Sequence, residues 1–428
     1  MNRRYAVVLV VACFWCAQHV NAASPDYSYP YNNPYEATVL GLPHELEVQL
    51  PADVPTREFT LKVFPEREIP EVFWYENGLV CSLAYQDRTA PLIFVIGGTG
   101  ARYDSPTTVK LQKLLYQAGF HVIAISSPSH MDFVVNASAD FPGDALGDAR
   151  DLYRVMRLAY EQVRKRIDVS SFALTGYSLG AFNAAFLAQL DAKEKHFNFT
   201  RVLLINPPVN LYTSVSTLDQ LLVDNIPGGM DKLDDWFRSV LGRVLAVSRQ
   251  MGRTELSGEF LYNVYQLLPH DQRNLEALIG LVFRMSAAHM IFTADVMSGG
   301  GYIIPTHARL TNSTSLTRYA MVAYHTRFVD YFNDVLLPHL QKEEPGLTRQ
   351  ALLERLSLRR LEPYLRGADT VGLVHNADDI ILAPGELQYL EGVFGARARV
   401  FPTGGHLGNL FHPEVARAIV GFLTGKDN

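Results

Sequence analysis

Only three cysteines occur in 428 residues, and two of them, Cys13 and Cys16, fall in an apolar segment near the amino terminus. A chain left with Cys81 alone forms no internal disulfide, so a disulfide-stapled scaffold is excluded. Charge is sparse as well: 19% of residues are charged, 38 Lys and Arg stand against 44 Asp and Glu, and nowhere is there a basic block. Without a basic face there is no electrostatic footprint for a phosphate backbone, and nucleic acid is not an expected partner. Internal repeats are missing, and so is any low-complexity tract beyond a Tyr- and Pro-rich lead from Tyr27 to Tyr35. What remains, 48% hydrophobic residues over this length, is the composition of a globular protein that buries a sizeable core.

The first four residues carry Arg3 and Arg4, and the apolar run from Tyr5 to Cys16 is too short to span a bilayer comfortably. Val20-Asn21-Ala22 before Ala23 has the small-residue pattern of a cleavage site. Residues 1–22 are therefore expected to be a cleaved signal peptide of a secreted or periplasmic protein. Val10-Val11-Ala12-Cys13 also resembles a lipoprotein box, but the apolar run continues through Phe14 and Trp15, which disfavours processing there. Cleavage leaves 36 basic against 44 acidic residues, a net charge of −8.

Residues 23–55 read as an extended N-terminal arm. From Thr56 to Leu92, alternating apolar runs such as Phe59–Phe64 and Leu79–Leu83 predict strands. Short apolar runs then follow at Leu92–Ile96, His121–Ile125, Phe172–Thr175 and Val202–Ile205, separated by helical periodicity at Leu111–Ala118 and Ala149–Val163. Such alternation predicts an α/β fold, a mostly parallel sheet with helices on both faces. From 212 to 362 the strands stop and several helices are expected: Leu218–Val223, Asp231–Gly252, Asn274–Val296 and Thr317–Leu340. The strand rhythm resumes at Thr370–His375 and Ala398–Phe401, before a closing helix at Pro413–Leu423. A helical block between two sheet strands is expected to cap the carboxyl edge of the sheet, where open α/β sheets bind ligands. Leu275–Val296 is apolar, but Glu276, Arg284, His289 and Asp295 interrupt it, so a buried cap helix is expected rather than a membrane span.

Gly176-Tyr177-Ser178-Leu179-Gly180 has the pattern G-x-S-x-G directly after a predicted strand and before a helical run, Ala181–Leu190. A serine on so sharp a turn needs very small neighbours, which Gly176 and Gly180 supply. Ser178 is thus the candidate nucleophile. A serine hydroxyl requires a base and a third group that holds the base's tautomer. His406, in the glycine-rich Gly404–Gly408 loop after the last strand, is the candidate base, whereas His412 suits a helix cap. The acid lies in Asn376-Ala377-Asp378-Asp379-Ile380-Ile381. Asp378 is preferred because one variable residue and then two apolar ones follow it; Asp379 is the alternative. Amides of Leu179 and of the Gly97–Gly100 loop, Gly98 first and Thr99 next, are the candidate oxyanion donors. That loop lacks the lysine and Ser/Thr of a phosphate-binding P-loop.

With these residues in this order, Ser178, Asp378, His406, the chain from Leu92 to Phe422 resembles the α/β-hydrolase superfamily. The resemblance implies a hydrolase core at 56–211 and 363–428, a helical cap insertion at 212–362, and an acyl-serine intermediate resolved by water without a metal or cofactor. Ile96 stands where many members carry a histidine, and His375 where many carry glycine. The implied substrate is a carboxylic ester or thioester, with a lipid-like acyl chain and contact with a membrane surface suggested only by the apolar cap. Two other classes stay open: a catalytically silent binding protein of the same fold, and an acyltransferase using the same residues. His130 is a secondary candidate for the pocket, His289 reads as a core residue, and Asn136, Asn198 and Asn312 begin N-x-Ser/Thr triplets.

Overall fold

The computed structural model describes residues 27–226, 228–236, 238–239, 242 and 271–426. The expected signal peptide and most of the helix expected at Asp231–Gly252 lie outside them. Eight strands form one sheet: β1 (Thr56–Leu61), β2 (Leu79–Ala84), β3 (Ala90–Ile96), β4 (His121–Ile125), β5 (Val169–Tyr177), β6 (Arg201–Ile205), β7 (Val371–Asn376) and β8 (Ala398–Phe401). Their order is β1-β2-β4-β3-β5-β6-β7-β8. β2 runs antiparallel to β1 and β4, and the remaining neighbours are parallel. This is the mostly parallel α/β sheet that the alternation of short apolar runs predicted. Strands β3 and β4 and most of β5 to β7 are buried, as strands covered by helices on both faces must be.

Helices α2 (Pro106–Gln117), α3 (Met131–Asn136), α4 (Ala145–Val163) and α5 (Leu179–Glu194) follow from local chemistry. Pro106 opens α2 where no amide is needed, and the Asp144 carboxylate accepts the Gly147 amide to cap α4. Between β6 and β7 come α6 (Leu211–Asn225), α7 (Gln272–Ser298), α8 (Thr317–His325), α9 (Phe328–Tyr331), α10 (Leu337–Glu343), α11 (Arg349–Arg355) and α12 (Glu362–Gly367). The long helix expected at Thr317–Leu340 is broken: Thr326 and Arg327 separate α8 from α9, and a π turn at Phe332–Leu336 precedes α10. After β7 come α13 (Glu386–Phe394) and α14 (Pro413–Thr424), the latter capped by His412, which accepts the Glu414 amide.

α7 is long and apolar enough to cross a membrane by composition, yet most of it is buried in the protein. Its interrupting charges explain why it packs inside. Arg284 is 1% exposed and meets Asp219 of α6 through two nitrogens at 2.6 and 2.7 Å. Asp295 takes the amides of Tyr302, Ile303 and Ile304. Gly280 lets the two helices close, since a Cβ there would lie 2.4 Å from the Leu222 nitrogen. Breaking so buried a pair costs about 3–5 kcal/mol.

The lead is not an extended arm throughout. Asn33 accepts the Tyr35 and Glu36 amides and Pro34 follows it, a helix start that yields α1 (Pro34–Leu40). α1 packs on α7, with Val39 among Leu275, Leu278 and Ile279.

Candidate active site

The site begins at the turn between β5 and α5. Ser178 has φ 54° and ψ −123°, and its amide donates to the Ile205 carbonyl at 2.9 Å. Such a backbone is strained for a residue with a side chain. Only glycine fits at its flanks: a Cβ on Gly180 would stand 2.2 Å from the Ile96 oxygen, and one on Gly176 would stand 2.4 Å from the Gly180 carbonyl. The turn therefore lifts Ser178 above the carboxyl ends of β3 and β6.

His406 stands opposite. Its Nε2 is 2.9 Å from the Ser178 Oγ, and its Nδ1 is 3.0 and 3.1 Å from the two carboxylate oxygens of Asp379. The acid in contact is thus Asp379, and the preference for Asp378 is corrected. Asp378 faces the backbone of the same loop instead, accepting the Gly404 and Gly405 amides at 3.1 and 2.9 Å. Neighbouring residues in a turn point different ways, and only one carboxylate can reach the imidazole ring. Asp379 is fully enclosed and accepts further hydrogen bonds from the Asn206 carboxamide at 2.8 Å and the Ile381 amide at 3.1 Å. Burial pushes its carboxyl up, but attraction and hydrogen bonding from His406, with His375 and Asn206, outweigh it and hold the pKa below the ordinary value. Asp378 is shifted the other way, upward, mainly by burial.

Leu179 provides the first amide of α5, where a helix leaves its N–H groups without an intrahelical acceptor. Leu179 and Thr99 both line a small cavity of about 30 Å³. Gly98 packs against the Tyr177 ring, where a Cβ on it would sit 2.9 Å away, so only glycine fits there. The loop is held by Gly97 donating to the Ile125 carbonyl and by Gly100 donating to the Ser129 hydroxyl. Other cavity walls are Leu211, Val215, Phe283, Met290 and Phe328, so the helical block between β6 and β7 contributes to the site.

Several contributors escaped the sequence reading. Asn206, directly after β6, adopts φ 47° to reach Asp379. Thr38 of α1 accepts the His406 amide at 2.9 Å. Tyr27 donates to the Thr403 carbonyl at 2.6 Å, and Asn376 and Asn409 pair through their carboxamides at 2.7 and 2.8 Å while Asn376 also donates to the Gly405 carbonyl. The signal that could have found α1 is the Asn33-Pro34 helix start, which the extended-arm expectation passed over. His130 caps α3 and pairs with Asp132 at 2.6 Å rather than lining the cavity, and His289 is exposed on α7, 3.4 Å from the Tyr324 hydroxyl. Asn136 is buried and bonded to Glu76 and Gly78.

No protein-family model matches this sequence, and no curated protein matches it. Solved structures similar to it include a thioesterase domain from the curacin biosynthetic pathway, with 15% identity over 86% of this chain and 99% of that one at a TM-score of 0.39. A thermostable carboxyl esterase from Bacillus coagulans has 12% identity over 87% and 99% at 0.41. A Pyrococcus furiosus esterase has 10% identity over 94% and 97% at 0.40. At such scores the chemistry has to be argued from the strand order and the site geometry themselves.

Proposed function

We propose that this chain, a member of the α/β-hydrolase superfamily, is a serine hydrolase that cleaves a carboxylic ester or thioester through an acyl-serine intermediate. The observation that carries the reading is the line from Ser178 Oγ to His406 Nε2 at 2.9 Å and from His406 Nδ1 to Asp379 at 3.0 Å. A silent binding protein has no need of a buried carboxylate on the far side of that imidazole.

Asp379 holds the Nδ1–H tautomer, so that Nε2 can accept the Ser178 proton as Oγ attacks the acyl carbonyl. The carbonyl oxygen becomes an oxyanion received by the Leu179 amide and one from the Gly98-Thr99 pair, whose withdrawal singly would cost about 3 kcal/mol of barrier. As the intermediate collapses, the leaving oxygen or sulfur takes the proton from His406, leaving the acyl-serine. Water then gives its proton to His406, attacks the acyl carbon, and frees the acid as Ser178 recovers its hydrogen. Every proton transfer is served by His406, and no step requires a metal or cofactor. Acyl transfer would differ only in replacing water by another acceptor.

Labelling by a fluorophosphonate probe, with Ser178→Ala alongside, tests the reading first. Labelling that depends on Ser178, together with hydrolysis of p-nitrophenyl esters, supports it; a folded protein that neither labels nor hydrolyses rejects it. We further propose export after cleavage at Ala22-Ala23, which amino-terminal sequencing of the exported protein would reveal as a chain starting at Ala23.

A further inference from the structure

The loop from Gly97 to Gly100 has glycine at three of its four positions, and Gly100 sits at φ 69°. It lies against the serine turn: a Cβ on Gly180 would stand 2.6 Å from the Gly97 oxygen, and one on Gly98 would stand 3.2 Å from the Tyr177 oxygen. Glycines bring little stiffness of their own, whereas an oxyanion donor works only if its direction is fixed before the reaction. Immediately after β4, Ser126-Ser127-Pro128-Ser129 runs beside this loop, and all three serines are buried.

Each serine ties the chain after β3 at a different point. The Ser126 hydroxyl accepts the Tyr103 amide at 3.1 Å and donates to the Asp132 carboxylate at 2.9 Å. The Ser127 amide donates to the Ala101 carbonyl at 2.9 Å. Of the three hydroxyls, that of Ser129 reaches the glycine run: it accepts the Gly100 amide at 2.9 Å and is hydrogen-bonded to the Ser127 hydroxyl, also at 2.9 Å. Gly100 meets α7 as well, since a Cβ on it would stand 2.7 Å from Ser286 Oγ. With Gly97 donating to the Ile125 carbonyl at one end of the run and Gly100 to Ser129 at the other, Gly98 and Thr99 are suspended between two anchored amides. We infer that Ser129 is a positioning residue, whose hydroxyl acts through Gly100 to aim the amide of the Gly98-Thr99 pair at the oxyanion, a role that rests on the serine-hydrolase reading.

An interaction felt only through the oxyanion is lost from kcat and leaves KM alone. In Ser129→Ala the Gly100 amide loses its acceptor, and kcat for p-nitrophenyl butanoate is expected to fall by on the order of ten-fold with KM within about two-fold of the parent. A trifluoromethyl ketone, whose carbonyl carbon bonds to Ser178 Oγ and leaves the same oxyanion, is expected to lose affinity by the same factor. Should Ser129→Ala not fold, Ser127→Ala keeps the backbone bond to Ala101 and removes only the partner of the Ser129 hydroxyl. That variant is expected to lower kcat and ketone affinity together by about four-fold. In whichever variant folds, kcat within about two-fold of the parent, a kcat loss without loss of ketone affinity, or a loss carried by KM overturns the proposal. Fluorophosphonate labelling of the parent separates the two failures: a labelled parent with unaffected variants sinks the positioning role alone, and a parent that does not label sinks the underlying reading with it.

Discussion

Asp378 and Asp379 stand side by side in the sequence but hold His406 from different sides, and substituting each by asparagine separates their roles. In Asp379, Oδ1 accepts the Ile381 amide and Oδ2 accepts the Asn206 carboxamide, while His406 Nδ1 lies 3.0 to 3.1 Å from both. An asparagine NH2 placed at either position confronts a donor. His406 is then driven to the tautomer whose Nε2 carries hydrogen and cannot accept from Ser178. A comparable loss of tautomer control costs about 10⁴ in kcat, or about 5.5 kcal/mol of barrier. Asp378→Asn surrenders at most one of the two amides it holds, at Gly404 or Gly405. That is a loss of about 1 kcal/mol, expected to lower kcat by less than ~10-fold on the same scale. Steady-state hydrolysis of p-nitrophenyl butanoate, with circular dichroism and melting curves to certify folding, gives both numbers. Equal losses for the two variants, or Asp379→Asn within ten-fold of the parent, would refute the assignment.

Thr38→Val removes the acceptor for the His406 amide, and kcat is expected to fall several-fold with KM little changed, while Thr38→Ser restores it; kinetics on the three proteins decide this. Gly180→Ala is expected to prevent folding or abolish labelling at Ser178, since its Cβ would enter the Ile96 carbonyl, and soluble yield with probe labelling reads the result. The Asp148 carboxyl, in the first turn of α4, is pushed up by burial and by Asp144, so the folded protein binds more protons than the unfolded chain between the ordinary and the raised pKa. Its contribution to stability is therefore full below the ordinary carboxyl pKa of 3.8 and declines as pH rises toward the folded value. Urea unfolding across pH should show the parent losing stability relative to Asp148→Asn as pH increases, and a difference independent of pH would contradict the upward shift.

The sheet was legible because buried parallel strands leave runs of apolar residues that no other element leaves at this spacing. β4, β6 and β8 lie within one residue of their expected positions for that reason. The serine turn was legible because Gly176, Ser178 and Gly180 answer a steric demand that acts within five residues. The acid was not, since it depends on the rotational phase of a turn after a strand. Asp378 and Asp379 are locally interchangeable as residue types. What separates them is contact with His406, across 27 positions of sequence. The polar residues of α7 reveal a related limit: Arg284 is buried as expected, but its partner Asp219 was not visible from the pattern.

The histidine loop shows why the amino-terminal segment belongs to the site rather than to a peripheral arm. Gly404, Gly405 and Leu407 have φ of 146°, 54° and 68°, a run of conformations that a free chain visits rarely outside glycine and that costs entropy to hold. Inside the loop, the Gly408 amide donates to the Gly404 carbonyl at 3.0 Å. Two carboxylates, one on its amides and one on its ring, act from the turn after β7. Thr38 and Tyr27 act from the opposite side, and α1 approaches so closely that a Cβ on Gly408 would lie 2.0 Å from the Ala37 oxygen. α1 also packs on α7, and α7 supplies Phe283 and Met290 to the cavity that Leu179 lines. The position of the base and the shape of the cavity are therefore set together, so changes in α1 should alter turnover before they alter the stability of the sheet.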